Sequence, residues 1–481
     1  DIFGQMYLKT EGIYSTAIGA SVTFIFLFIL FGAFLAKSGM GQLFNDLAMA
    51  LAGHKQGGPA KVAVISSGFM GSINGTAVAN VVGTGAFTIP LMKKIGYDRN
   101  FAGAVEASAS VGGQILPPIM GASAFIMAET TGVSYGSIAL AALLPALLYY
   151  LGVIAQVHFC AGRENLKGIP KADLPRVMEV LKERGHLLLP IIGLIVLLFK
   201  SVPVSFAAFY TIIFTVFISS LRKSTRMSIR DIFEALADGA RQSLAVMIYS
   251  AEDGVIIGVV SLTSFGSVMT SSIMSIGAGS LMLTLIFTML ASMILGMGLP
   301  SIPAYIITAT MAAPALANFD IPVLVAHMFV FYFGLFANIT PPVALAAFAG
   351  AGIAGGDPMR TGFISLRLAL AGFIVPFLFV YNPAMMMIDV TGLPMNAREF
   401  PLPPVWDIIS ISFTSIVGII ALGAAVEGYL KNSLSIPVRL ILAAGALMMI
   451  IPETFSDIAG IIVVGLVGAW SWHNAKQDAV A

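Results

Sequence analysis

Apolar residues run along this chain in long unbroken stretches, not in the i, i+3, i+4 stripes of helices that bury one face in a soluble core. Stretches near the ~20 residues that cross a bilayer recur over almost the whole length. Charged and turn residues divide them into candidate crossings at about residues 12–36, 101–128, 135–159, 187–200, 203–221, 236–265, 322–354, 361–381, 405–425, 436–451 and 456–473. Two further stretches, about 59–92 and 281–313, are too long for one helix. They are interrupted in the middle by "GSINGT" (Gly71 to Thr76) and "GMGLPS" (Gly296 to Ser301). Each is expected to be a re-entrant hairpin that enters and leaves on the same side.

Basic residues test that expectation, because cytoplasmic loops carry the excess of Lys and Arg. With the N-terminal end outside, all 25 Lys and Arg fall at inner ends except Lys9, Lys200 and Arg398. Counting either hairpin as a full crossing puts later basic loops on the wrong side. The first hairpin therefore opens inward and the second outward.

Composition agrees. Over 481 residues, 58% are apolar and 10% charged, with mean hydropathy +0.94, against ~25% charged in soluble domains. The fold class is an all-α polytopic membrane protein in a lipid bilayer. A net charge of +1 gives no sign of a nucleic-acid partner, and the single Cys160 excludes an internal disulfide framework. His54, His158, His186, His327 and His473 are scattered, and "GTGAFT" lacks the Lys of a P-loop. An enzyme and ATP-driven transport within the chain are both disfavoured. No resident cofactor is expected.

The chain repeats itself. "GGQILPPIMGASAF" (Gly112 to Phe125) resembles "FANITPPVALAAFA" (Phe336 to Ala349), with Pro117-Pro118 matching Pro341-Pro342 224 residues on. Gly71 and Gly296 are 225 apart, and Gly32 and Gly258 are 226 apart. Repeat 1 covers about 12–160 and repeat 2 about 236–381, joined by residues 161–235. The charge count orients the halves oppositely. An inverted repeat with two re-entrant hairpins and two broken helices is secondary-transporter architecture. Helices that stop inside a membrane free backbone groups, which are tolerated where they line a cavity or bind an ion. Helix N-termini favour anions, and unwound carbonyls suit Na⁺.

The stretch "GSINGTAVANVVGTGAFTIPLMKKIGY" followed by "FAGAVEASASVGGQILPPIMGASAFIMAE" closely resembles the large membrane subunit of tripartite ATP-independent periplasmic (TRAP) transporters. Within that family it looks most like the TAXI branch, whose small and large membrane domains are fused. The resemblance covers roughly residues 12–381. It implies a large permease domain over 1–400, an additional transmembrane segment over 401–481, and a small membrane domain expected ahead of residue 1.

The resemblance further implies an elevator-type importer in a bacterial inner membrane. A periplasmic substrate-binding protein delivers an organic carboxylate, such as a dicarboxylate, a 2-oxo acid or a glutamate-like amino acid. The coupling ion is Na⁺, with H⁺ the other candidate. Carried onto this sequence, one Na⁺ site lies at Gly71, Asn74, Gly75, Ser110, Gly113 and Gln114. Its repeat-related site uses Gly296, Gly298, Pro300 and Ala337, largely through backbone carbonyls. Substrate is expected near Ser72, Thr76, Asn80, Ser301, Asn338 and Thr340. The competing reading is an ion-coupled carboxylate symporter that needs no binding protein.

Glu252 and Asp253 stand inside a crossing, where a carboxylate costs ~2.5–3.5 kcal/mol or more and is a functional candidate. They are read as possible coupling carboxylates. Glu106 and Glu129 are read as structural. "AMMMIDVTGLPMN" (Ala384 to Asn396) is expected to be an outer amphipathic connector.

Overall fold

The computed structural model describes residues 2–200, 202–450 and 454–478. Its named elements are all helical, and the strand-like pairing among the described residues is one isolated bridge, Tyr429 with Ser433. Among the described residues, five helices are long and apolar enough to span a bilayer: Thr16–Lys37, Tyr135–Arg163, Ile229–Thr263, Val405–Glu427 and Phe455–Asn474.

Both long interrupted stretches fold as helical hairpins. The first has arms Gly58–Asn74 and Ala77–Ile95, the second Leu281–Gly296 and Ser301–Met311. Each is followed by a helix that breaks at its proline pair. Arg99–Gly113 resumes as Ala122–Thr131, and Val323–Phe336 resumes, after a 3-10 turn, as Leu345–Ala354. Both Pro117-Pro118 and Pro341-Pro342 bonds are cis.

Three expected crossings come out differently. The stretch 361–381 is two helices, Pro358–Leu368 and Leu370–Tyr381, bent by 41°. At the bend Gly372 N–H turns to Ala369 O, and Gln156 Nε2 donates to the freed Leu368 carbonyl at 3.0 Å. A side chain inserted into the helical ladder is a recognised cause of such kinks. The stretch 187–200 gives only the 12-residue helix Leu188–Phe199, ~18 Å long against a ~30 Å hydrocarbon core. The stretch 236–265 is the C-terminal part of a 35-residue helix that starts at Ile229. Ser228 and Asp231 form a capping box there, which satisfies two free N-terminal N–H groups.

Among the helices absent from the sequence reading, Met40–Ala52 and Phe265–Gly277 stand out. Each is 13 residues, too short to register as a crossing, yet they occupy matched places. Met40 and Phe265 start 225 residues apart, Gly58 and Leu281 223, Arg99 and Val323 224, Tyr135 and Pro358 223. The repeat is therefore one of whole elements in order: long helix, short helix, hairpin, broken helix, closing helix.

Thr16–Lys37 and Ile229–Thr263 pack side by side. Ser21 and Ser250 hydroxyls lie 2.6 Å apart and Lys37 Nζ is 2.8 Å from Glu234 Oε2. Gly239 makes the close packing possible, since a Cβ there would lie 2.7 Å from Leu30 Cδ1. Val204–Ser219 joins this layer. The hairpins and broken helices form another, in which the two repeats interlock where a Cβ at Gly103 would stand 2.9 Å from the Gly350 carbonyl carbon. Val405–Glu427 lies along Tyr135–Arg163. Its buried Glu427 carboxylate accepts from Arg163 at 3.0 Å and pairs with Arg367 at 3.1 Å. The connector after residue 383 folds back, with Met385 and Met386 buried and Met395 O accepting from Val323 N–H.

Candidate transport site

The first hairpin turns because Gly75 adopts φ +70, the left-handed conformation that ends helices where a side chain is disfavoured. Gly75 N–H closes onto Gly71 O at 3.2 Å, and extended Thr76 redirects the chain into the second arm. The tip seats in the break of the following helix. A Cβ at Gly71 would lie 2.9 Å from Gly113 Cα and 3.4 Å from Ser110 O.

Polar side chains stitch that seat. Gln114 Nε2 donates to Gly75 O at 2.9 Å, Asn74 Nδ2 to Asn80 Oδ1 at 3.2 Å, and Asn80 Nδ2 to Ser110 Oγ at 2.9 Å. The structure thus gathers Gly71, Asn74, Gly75, Ser110, Gly113 and Gln114. Two helix C-termini, at Asn74 and Gly113, end here with carbonyls carrying partial negative charge. Gln114 Oε1 is buried with no hydrogen-bond partner among the described residues. Carbonyl and amide oxygens at converging helix C-termini are ligands of the kind Na⁺ takes.

The second hairpin repeats the arrangement with different chemistry. Gly298 has φ +74, and Pro300 precedes the second arm at Ser301. A Cβ at Gly296 would lie 2.8 Å from Gly334 O and 3.1 Å from Ala337 Cβ. Gly296 with Ala337 is therefore the counterpart of Gly71 with Gly113. Asn338 Nδ2 reaches only Leu335 O, at 3.3 Å, and Thr340 Oγ1 donates to Phe336 O at 2.8 Å. Neither bridges to the second hairpin as Gln114 bridges to the first.

The hairpins meet at a cleft of about 40 Å³. Asn74, Gly75, Thr76 and Ser301 line it together with Ile25, Phe28 and Val246 of the long helices. Of the expected substrate residues, Thr76 and Ser301 line this cleft. The Ser72 hydroxyl donates to Phe69 O at 2.8 Å, and Asn80 is wholly buried in the network. Asn338 and Thr340 are buried and lie outside the cleft lining.

Glu252 is exposed and Asp253 fully buried, as adjacent positions about 100° apart on a helix permit. Both Asp253 oxygens lack a hydrogen-bond partner among the described residues. The neighbouring Gly254 packs on the Gly12 backbone. This helix meets the cleft at Val246, ~10 Å along the axis from Asp253.

Glu106, expected to be structural for its place under two turns from the basic inner end, lies beneath the first tip and is fully buried. Ser67 and Thr88 hydroxyls donate to it at 2.5 Å, Ser110 does so at 3.4 Å, and Thr84 also donates. The available signal was the four-residue spacing of Asn80, Thr84 and Thr88, and of Glu106 and Ser110. That spacing places each set on one helix face.

Long apolar helices beside hairpins that stop within the fold define a polytopic membrane permease. The chain belongs to the TRAP transporter family: the family described as "Tripartite ATP-independent periplasmic transporter, DctM component" matches residues 2–392. Among its relatives, the 2,3-diketo-L-gulonate TRAP transporter large permease protein YiaN of Escherichia coli (strain K12) is 25% identical over 388 residues. That alignment covers 79% of this chain and 89% of the relative. The C4-dicarboxylate TRAP transporter large permease protein DctM of Vibrio cholerae is 24% identical over 396 residues, 78% of this chain and 84% of the relative. The isethionate TRAP transporter permease protein DctMQ of Oleidesulfovibrio alaskensis is 22% identical over 368 residues, 75% of this chain and 56% of the relative. This is a family of transport proteins, not enzymes, whose large permeases work with a periplasmic substrate-binding protein and a small membrane subunit.

Proposed function

We propose that the chain is the large permease of a secondary transporter of the TAXI branch, importing an organic carboxylate handed over by a binding protein. A Na⁺ gradient drives it, and its location is a bacterial inner membrane. The observation that carries this reading is the seat of the first hairpin. Gly71, Gly75, Ser110, Gly113 and the partnerless Gln114 Oε1 converge at two helix C-termini, one step from Thr76 on the cleft wall.

The same geometry supports a division of labour. Na⁺ takes the carbonyl-rich seat behind the tip, and the carboxylate takes the cleft side. There the second arms begin at Ala77 and Ser301 and offer N-terminal N–H groups to an anion. Thr76 and Ser301 supply hydroxyls, and the cleft lining carries no Arg or Lys. Small-molecule sites measure ~300–1,000 Å³, so a cleft of about 40 Å³ must widen to admit substrate. Movement of the hairpin layer against the Thr16–Lys37 and Ile229–Thr263 layer, an elevator step, provides that widening.

The test is uptake of a radiolabelled carboxylate panel into proteoliposomes, with and without the cognate binding protein, under a Na⁺ gradient and then a proton gradient. Uptake requiring both binding protein and Na⁺ is expected. Uptake without the binding protein would replace this reading with an autonomous symporter. Uptake driven by protons alone would remove Na⁺ from the first seat.

A further inference from the structure

Outside the ion seat, the most densely satisfied polar group in the hairpin layer is Glu106. Its carboxyl oxygens accept from Ser67 on the first hairpin arm, from Thr84 and Thr88 on the second, and from Ser110 one turn along its own helix. Three separate helices therefore meet on one side chain. No cation among the described residues pairs with it, and its hydrogen-bond partners are those four hydroxyls. Gly85 supplies the space, since a Cβ there would lie 3.0 Å from Glu106 Cγ.

The contacts continue upward toward the tip. Ser110 Oγ accepts from Asn80, Asn80 accepts from Asn74, and Gln114 reaches Gly75 at the tip. Below them, Thr84 and Thr88 also have their own helix carbonyls within reach, Asn80 O at 2.7 Å and Thr84 O at 3.1 Å. These hydroxyls thus have somewhere to turn if the carboxyl is removed, and the hairpin can stay folded while losing its grip on the broken helix. The second repeat has no carboxyl at the matching place. Glu106 plus the repeat offset of 224 falls on Val330, a fully buried apolar residue.

We infer that Glu106 is the positioning residue of the first hairpin, cross-linking both its arms to the broken helix so that the tip presents its carbonyls and Gln114 in one fixed arrangement. It acts through Ser110 and Asn80 and touches neither ion nor substrate. The two hairpins then differ in kind: the first is clamped to its broken helix through a buried carboxyl that gathers both arms, and the second packs Gly296 on Gly334 and Ala337 and ties only its second arm across, by the Tyr305 hydroxyl hydrogen-bonded to His327 Nδ1 at 2.7 Å. This rests on the seat being the ion site, as proposed above.

The test compares Glu106→Ala with Glu106→Gln in the full chain in nanodiscs, read by hydrogen–deuterium exchange in NaCl and in choline chloride. In Glu106→Ala, exchange across residues 71–80 rises about tenfold or more, since the tip loses the cross-link that ties Ser67, Thr84 and Thr88 of the two arms to the broken helix. Exchange across residues 296–301 stays as in the wild type. Glu106→Gln, which keeps an acceptor oxygen, restores most of the protection. Half-maximal Na⁺ protection of the first tip moves to higher concentration in Glu106→Ala and stays near the wild-type value in Glu106→Gln.

Unchanged exchange at 71–80, or equal loosening of both tips, overturns the inference. Wild-type tips that ignore Na⁺ would sink the ion seat instead, while the contrast between Ala and Gln still decides the role of Glu106. If Glu106→Ala does not reach the membrane, Ser67→Ala and Thr88→Ala each remove one donor. Graded loosening confined to 71–80 supports the clamp, and an unaltered tip overturns it.

Discussion

Gln114 holds the Gly75 carbonyl oxygen at 2.9 Å with its side-chain amide, so the turn of the first hairpin is bonded from outside the hairpin. Its other amide atom, Oε1, is buried and partnerless among the described residues. One side chain thus fixes the tip and offers an oxygen beside it. Gln114→Ala is expected to raise the Na⁺ concentration for half-maximal uptake about tenfold, the effect of losing ~1–1.5 kcal/mol. A Na⁺ titration of uptake checks this. An unshifted midpoint would place Gln114 outside the ion site.

Gly113 tolerates no side chain, because a Cβ there would come within 2.5 Å of Gly71 Cα. Gly113→Ala and Gly296→Ala should both abolish uptake by pushing a tip out of its break. Gly352 has open space where a Cβ would point. Gly352→Ala should keep activity and stabilise the helix Leu345–Ala354 by ~0.5–1 kcal/mol. Equal losses in all three variants would mean that helix packing in general, not the two seats, is at stake.

Asn74→Ala and Asn338→Ala are expected to abolish ion-dependent uptake with expression intact. They act differently. Asn74 is tied to Asn80, whereas Asn338 has only a 3.3 Å bond to its own helix. The measurement is uptake normalised to protein in the membrane, and wild-type uptake by both variants would refute the assignment of the tips as the site.

Glu427 is wholly buried between two half-exposed arginines. Removing the carboxylate leaves two guanidiniums side by side with no anion between them and empties a buried position. Glu427→Ala should therefore lower the thermal midpoint clearly. Adding Arg367→Ala to it should cost less than the two single losses summed. Strict additivity in a thermal double-mutant cycle would mean that Arg367 and Glu427 do not interact.

The architecture was readable because lipid imposes a simple rule: apolar length reports crossings, and glycines with small hydroxyls report where a helix must stop. Both hairpins and both proline breaks were legible for that reason, as was the repeat offset. Met40–Ala52 and Phe265–Gly277 were not, since 13 residues with scattered polar positions resemble a loop as much as a helix. The bend at Ala369 depends on Gln156, more than two hundred residues earlier, and no local pattern encodes it. Glu427 was passed over, and Glu106 read as structural without its partners, on like grounds. The chain shows that a carboxylate is present, but its partners Arg163, Arg367, Ser67 and Thr84 lie on other helices.

The contact of Gly103 with Gly350 has a consequence for how the protein is made. The surface that Gly103 presents finds its mate only about 250 residues later in the chain, and ribosomes add ~5–20 residues per second. For roughly 10–50 s the first half must wait in the membrane with that face uncovered. Nascent chains stalled between residues 163 and 345 are therefore the species on which insertion factors and quality-control proteases are expected to act.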